Sequence, residues 1–172
     1  MEIGNRIQTE FSFFDKSIKE KNCQCYKLFA HYNKNCFSFS IFDIEKEKFL
    51  NIESYIFEYK KDNLKYLMSK SPILKWNFNS FSFNYYFKGC TLIPNSLFDE
   101  KLQRKYLEIN NQIDDSEVIL FDQLKHINAV AIYSVPREDL DALNQFKNIK
   151  IKHSGTVFLE NILEKSKHST EN

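Results

Sequence analysis

From Cys36 to Asp43 the chain reads CFSFSIFD, and the alternation is strict. Phe37, Phe39 and Ile41 stand on one side, Ser38 and Ser40 on the other. Successive side chains of an extended backbone point to opposite faces, so a period of two builds a strand with one buried face and is incompatible with a helix. The same pattern returns in WNFNSFSFNYYF, where Phe81, Phe83, Tyr85 and Phe87 share one face and Ser80, Ser82 and Asn84 the other. Two strand-like runs flank the first: CQCYKLFAHY before it and KFLNIESYIFEY after the charged turn EKEK. Asn33-Lys34-Asn35 reads as a short hairpin turn centred on Lys34, because Asn tolerates positive φ. These runs predict an antiparallel three-strand meander. Residues 1–22, largely polar with one aromatic knot at Phe11–Phe14, read as a lead-in, 23–168 as one domain and 169–172 as a tail.

Past residue 60 the period changes. Leu64, Leu67 and Met68 fall on one helical face, Asp62 is a good N-cap, and Pro72 stops the run. Gly89 breaks the strand at 78–87, and CTLIP leads to a second helix, with Ser96 and Asp99 at capping-box spacing. Phe98, Leu102, Tyr106 and Ile109 then make one apolar stripe. VILF (118–121), AVAIYSV (129–135) and IKIKH (149–153) are further strands. Pro136 suits the first turn of a helix carrying Leu140, Leu143 and Phe146. Gly155 opens a last helix. A meander followed by helix–strand alternation predicts an α+β (mixed α/β) fold, in the element order of a ribonuclease-H-like domain.

The turn at CTLIPNSLFDEKLQRKYL carries a more specific message. Thr91, Leu92, Ile93, Pro94, Leu97 and Phe98, then VILFDQL, then YSVP with Leu140 and Leu143, resemble the bacterial family catalogued as domain of unknown function 3822, over roughly residues 24–165. The resemblance implies a relative of actin-like ATPases, similar in plan to the cytoplasmic actin-like subunits of pilus and type II secretion machines. It implies an actin-like half-domain, since members usually continue into a second, similar half. Nothing in the turn pairs a nucleophile with a base. Pro94 ends the apolar run and biases Ile93 to extended geometry.

Such a fold could host several chemistries, each with its own demand on the residues. A two-metal nuclease needs clustered carboxylates, one of them on the first strand; Tyr26 to His31 has none, and Asp43 and Asp122 sit at strand ends. An actin-like phosphate loop needs a glycine-bearing turn at the first hairpin, because backbone N–H groups must approach the phosphates. HYNKNC has no Gly, and the chain's only glycines are Gly4, Gly89 and Gly155. With Lys34 at the hairpin centre, Cys36 faces Tyr32 and Cys25 lies roughly 23 Å down the strand. Cys23, Cys25, Cys36 and Cys90 therefore read as reduced thiols, not zinc ligands. His31, His126, His153 and His168 show no Ser, Cys or Asp partner at a telling spacing.

Composition sets the remaining limits. A formal charge of +1, with only Arg6, Arg104 and Arg137 as arginines, argues against nucleic acid and phosphate-reading surfaces. The aromatic residues are interleaved with Ser and Asn, not Lys and Arg, and so read as core. No run reaches the roughly 18 apolar residues of a membrane span, and no signal peptide is legible at the start, so a cytoplasmic location without membrane insertion is expected. The expected function is a non-catalytic interaction module on a degenerate actin-like fold, with no cofactor and no metal. Its partner is a second copy or a separate protein, met through the final helix, where Val157, Phe158, Leu159, Ile162 and Leu163 give more apolar surface than one stripe requires. The alternative is a nucleotide-binding actin-like ATPase relative whose site needs a second half or a partner. A hydrolase using His126 or His153 ranks last.

Overall fold

The computed structural model describes residues 7–58, 63–86 and 89–169. Gly4, Asp62 and Phe87 lie outside them. The chain divides into two compact units, Met1–Tyr85 with Glu138–Ile151, and Tyr86–Arg137 with Lys152–Asn172.

The first unit is built on a sheet of strands β1 (Gln8–Phe14), β2 (Tyr26–Asn33), β3 (Cys36–Asp43), β4 (Lys48–Ile56), β5 (Ser80–Tyr86) and β9 (Ile149–His153), in the order β1-β4-β3-β2-β5-β9. The antiparallel meander β2–β3–β4 is present as expected. Its inner face takes every second side chain: Tyr26, Leu28, Ala30 and Tyr32 on β2, Phe37, Phe39 and Ile41 on β3, Phe81, Phe83 and Tyr85 on β5, all buried. Tyr32 is the hub, with its ring 5.9 Å from those of Phe57 and Tyr85 and 6.5 Å from Phe37. Each such ring, fully buried, contributes about 1.5–3 kcal/mol from burial alone. Two helices belong to this unit: α1 (Asn63–Lys70), with Leu64, Leu67 and Met68 buried, and α3 (Arg137–Leu143), with Ala142 and Leu143 buried. Inside the core the Tyr85 hydroxyl donates to the buried carboxylate of Asp139 at 2.9 Å, which satisfies both.

Several expectations change. Tyr32 pairs with Phe37, not Cys36, so the hairpin is a two-residue turn, Lys34–Asn35. The reason is the pleat: a slip of one residue would turn Phe37, Phe39 and Ile41 away from Tyr26, Leu28 and Tyr32. The lead-in contains a strand, β1, paired antiparallel with β4; its Phe11 and Phe13 alternate with Ser12 in the same period of two. Pro136 closes a strand instead of opening a helix, and helix α3 starts one residue later at Arg137.

The second unit holds an antiparallel sheet, β6 (Thr91–Pro94), β8 (Ala129–Pro136) and β7 (Glu117–Leu124), with β8 central. Pro94 sits at the end of edge strand β6, where its missing N–H costs no ladder bond. Leu107, Val130 and Ile132 form the core, with Ile93, Phe98, Tyr106, Ile113 and Ile119 against it. Helix α2 (Gln103–Glu108) begins later than Ser96 predicts, after two 3-10 turns, Asn95–Leu97 and Glu100–Leu102. The capping bond of this segment is made by Asp99, not Ser96, and it closes the Glu100–Leu102 turn that precedes α2: its carboxylate accepts from the Lys101 N–H at 2.9 Å. The 3-10 turns also shift the phase of the stripe, so Leu107 is buried while Ile109 is 73% exposed. Helix α4 (Ser154–Ser169) ends the described chain.

Asp99→Ala should therefore cost about 1 kcal/mol in denaturant unfolding, and Ser96→Ala no more than a few tenths. Phe98→Ala, half-buried against the small sheet, should cost about 2 kcal/mol. Equal losses at Asp99 and Ser96 would contradict the capping assignment.

Candidate functional site

In an actin-like fold the first hairpin is where backbone N–H groups would meet phosphate. Here those donors are taken. The Asn33 side-chain oxygen accepts from the N–H groups of both Asn35 and Cys36, each at 2.8 Å. The Asn33 amide nitrogen lies 3.3 Å from His31 Nε2. Burial lowers the His31 pKa, so the neutral ring is favoured and can accept that bond. On the other side of the turn the Asn35 carbonyl accepts from the Phe57 N–H at 3.0 Å. The turn is closed by its own side chain, an Asx arrangement that holds the chain without glycine.

The cysteines stay apart. Cys25 precedes β2, where its thiol donates to Glu45 at 3.3 Å, and the neighbouring carboxylate raises its pKa. Cys36 lies at the opposite end of the hairpin, 3.8 Å from the Ser54 hydroxyl. All four thiols are free, and among the described residues no group of three His, Cys, Asp or Glu side chains could hold a metal ion.

One polar cluster escaped the sequence reading. Asp122 on β7 is buried and accepts from the His153 N–H at 2.8 Å and from the Tyr133 hydroxyl at 3.2 Å. His153 ends β9, and its Nδ1 accepts from the Gly155 N–H at 3.2 Å in the first turn of α4. The rings of Tyr133 and Tyr86 lie 5.3 and 5.6 Å from the His153 ring. Spacing could not reveal this: Asp122 and His153 are 31 residues apart and meet through the backbone of one and the carboxylate of the other. The arrangement is not a catalytic triad, because Asp122 bonds the His153 main chain and not its ring. Burial pushes the Asp122 pKa up against the hydrogen bonds from the His153 N–H and the Tyr133 hydroxyl that lower it. Burial also raises the Tyr133 pKa, which keeps the phenol a donor. The cluster ties the start of α4 to the small sheet. His126 lies apart from it, exposed on a 3-10 turn (Lys125–Ile127), and the side chain of His168 lies outside the described residues.

The final helix begins where expected. Phe158 is 69% exposed and Ile162 47%. Val157, Leu159 and Leu163 are half-buried, and Thr156 is buried. The Lys152 ammonium meets Glu160 at 2.6 Å, one further tie between the helix and the end of β9.

The profile of the family described as "Protein of unknown function (DUF3822)" matches residues 15–172. The chain belongs to that family. The fold of this DUF3822 protein is actin-like and ribonuclease-H-like, as its element order and sequence resemblance imply. A solved structure from Bacteroides thetaiotaomicron VPI-5482, described as a protein with actin-like ATPase fold and unknown function, superposes with a TM-score of 0.73 at 22% identity. The match covers 84% of this chain and 58% of that one, so the DUF3822 chain spans little more than half the length of that protein. A comparison with curated proteins gives no match.

The Asp122 cluster makes a pH-dependent prediction for the DUF3822 protein. Its pKa is raised on folding, so the folded state binds more protons than the unfolded state between the ordinary carboxylate value and the raised one. Stability contributed by this group is highest below that window and falls as pH rises through it. Asp122→Asn removes the titration while keeping an acceptor for the His153 N–H. In paired thermal melts the parent should gain relative to the variant on going from pH 7 toward pH 4. A gap that stays constant, or closes in the other direction, would refute the assignment.

Proposed function

We propose that residues 23–168 act as a non-catalytic, cytoplasmic protein-interaction module. The observation that carries this reading is the closed first hairpin: the Asn35 and Cys36 N–H groups, which a phosphate would need, are bonded to Asn33. A nucleotide would have to break two local hydrogen bonds of about 1 kcal/mol each before gaining any of its own. The contact surface in this reading is the α4 face of Val157, Phe158, Leu159, Ile162 and Leu163. Its exposed Phe158 and Ile162 lie one helical turn apart, the spacing of anchors on one face. The occupant is another polypeptide, either a second copy or a separate protein. Nucleic acid, a metal and a cofactor play no part in it.

Calorimetric titration with ATP and magnesium should give no binding tighter than about 1 mM, roughly −4 kcal/mol. A tighter, magnesium-dependent constant would favour the nucleotide-binding alternative and overturn this reading.

Partner contact through α4 has its own test. Phe158→Asp with Ile162→Asp should leave the melting temperature within a few degrees, because both side chains are exposed in the folded chain. The same pair should abolish self-association in sedimentation at micromolar concentration, or capture of the partner from the native cell. A parent that is a strict monomer and captures nothing, or an association that survives both substitutions, would exclude this helix face.

A further inference from the structure

We propose that the first unit carries a binding site for a small aromatic anion, in the cleft between the Pro72–Lys75 turn, the start of β5 and the residues after α3. This does not depend on the interaction reading and concerns a different part of the chain. The cleft encloses about 440 Å³, inside the range of roughly 300–1,000 Å³ typical of small-molecule sites. Its floor is aromatic. Phe78 and Phe81 are buried, Phe146 stands edge-on to Phe81 at 5.1 Å, and Trp76 lies tilted 6.4 Å from Phe78. A planar ring placed there would meet both ring edges and ring faces, the geometry that aromatic pairs favour.

The charge on the cleft is one-sided. Lys75 and Lys147 line it, and among the described residues no acidic one does. In a chain with 24 basic and 23 acidic residues, two cations without a carboxylate around one concavity is a local imbalance. Neither lysine has an ion-pair partner among the described residues. An anionic group would supply the missing counter-charge, and each ammonium offers three rotatable donors.

The wall is held in place. Gln24 donates to the Asn77 carbonyl at 2.6 Å, and Asn79 donates back to the Gln24 carbonyl at 2.9 Å. The Asn79 N–H bonds the Tyr26 carbonyl at 3.1 Å, and the Phe81 N–H the Asn148 carbonyl at 3.3 Å. These bonds fix the cleft to the start of β2, whereas the Asn33–Cys36 turn lies at its other end. The site is thus separate from the hairpin at which an actin-like protein would hold phosphate. Its size and its lysines, point charges without an arginine fork, suit one ring with one acid group.

Trp76 is the only tryptophan, so its emission reports on this cleft alone. The full chain is titrated with phenylacetate and with 2-naphthylacetate, against phenylacetamide and acetate as controls. Saturable change in Trp76 emission is expected with a Kd of a few millimolar or tighter, about the scale that fragments reach. The amide and acetate should bind at least about tenfold more weakly, because one lacks the charge and the other the ring. Lys75→Gln with Lys147→Gln should keep the parent's melting temperature and lose the preference for acid over amide. Equal binding of acid and amide, or a preference that survives the double substitution, would mean an apolar crevice without anion recognition and would overturn the proposal. So would silence of Trp76 toward both aromatic acids.

Discussion

The register of β2 against β3 is the constraint on which the first unit depends. Pairing Tyr32 with Phe37 puts two unbroken apolar rows, Tyr26 to Tyr32 and Phe37 to Ile41, on one side of the sheet. It also makes Tyr32 the meeting point of rings from β3, from Phe57 just after β4, and from β5. A shift by one residue would expose that row and bury the polar one, so the intermediate registers have no stable core to occupy. The bulge where Ile41 pairs with Asn51 and Phe42 with Phe49 lets β4 insert one residue without disturbing the buried face.

The same register dictates the chemistry of the turn. With Tyr32 opposite Phe37, only Lys34 and Asn35 remain to reverse the chain. Two-residue hairpin turns favour glycine because they need unusual backbone angles. This chain supplies side-chain hydrogen bonding instead, through Asn33. The solution has a chemical consequence. An asparagine oxygen that accepts from two successive N–H groups occupies the concavity that an anion would otherwise fill. The bonds that let this turn stand without glycine thus use the two N–H groups that the proposed reading counts as closed to phosphate.

What was legible in the sequence follows the physics of each signal. Strict alternation at Phe37 to Ile41 and Phe81 to Tyr85 identified strands and their buried faces, because period two has no helical counterpart. The turn motif around Pro94 identified the family. The hairpin register missed by one residue, since the composition of NKN is compatible with a two- or a three-residue turn and only cross-strand packing decides. The lead-in hid a strand because β1 is an edge whose seven residues are all exposed, so burial left no trace in its composition. The capping reading failed at Ser96 because two short 3-10 turns, which have no periodic signature, intervene before α2. The Asp122–His153 cluster was illegible in principle: it joins a side chain to a main-chain group across 31 residues.

That cluster bears on how the last helix is presented. A buried carboxylate is unfavourable unless its oxygens are bonded, and Asp122 reaches that condition through the His153 N–H and the Tyr133 hydroxyl. His153 in turn accepts from Gly155, and an added Cβ at Gly155 would stand 3.0 Å from the ring nitrogen that takes this bond. Glycine is therefore favoured there by close approach to the ring rather than by an unusual φ. The first turn of α4 is fixed to β7 and β8 by these contacts, and Lys152–Glu160 fixes the second. Phe158 and Ile162 are consequently held on the solvent side by bonds made elsewhere on the helix. An apolar side chain free to swing inward would bury itself. In the proposed reading these two exposed side chains on an anchored helix are what a partner would bury, so the anchoring and the exposed face belong to one argument about what this helix does.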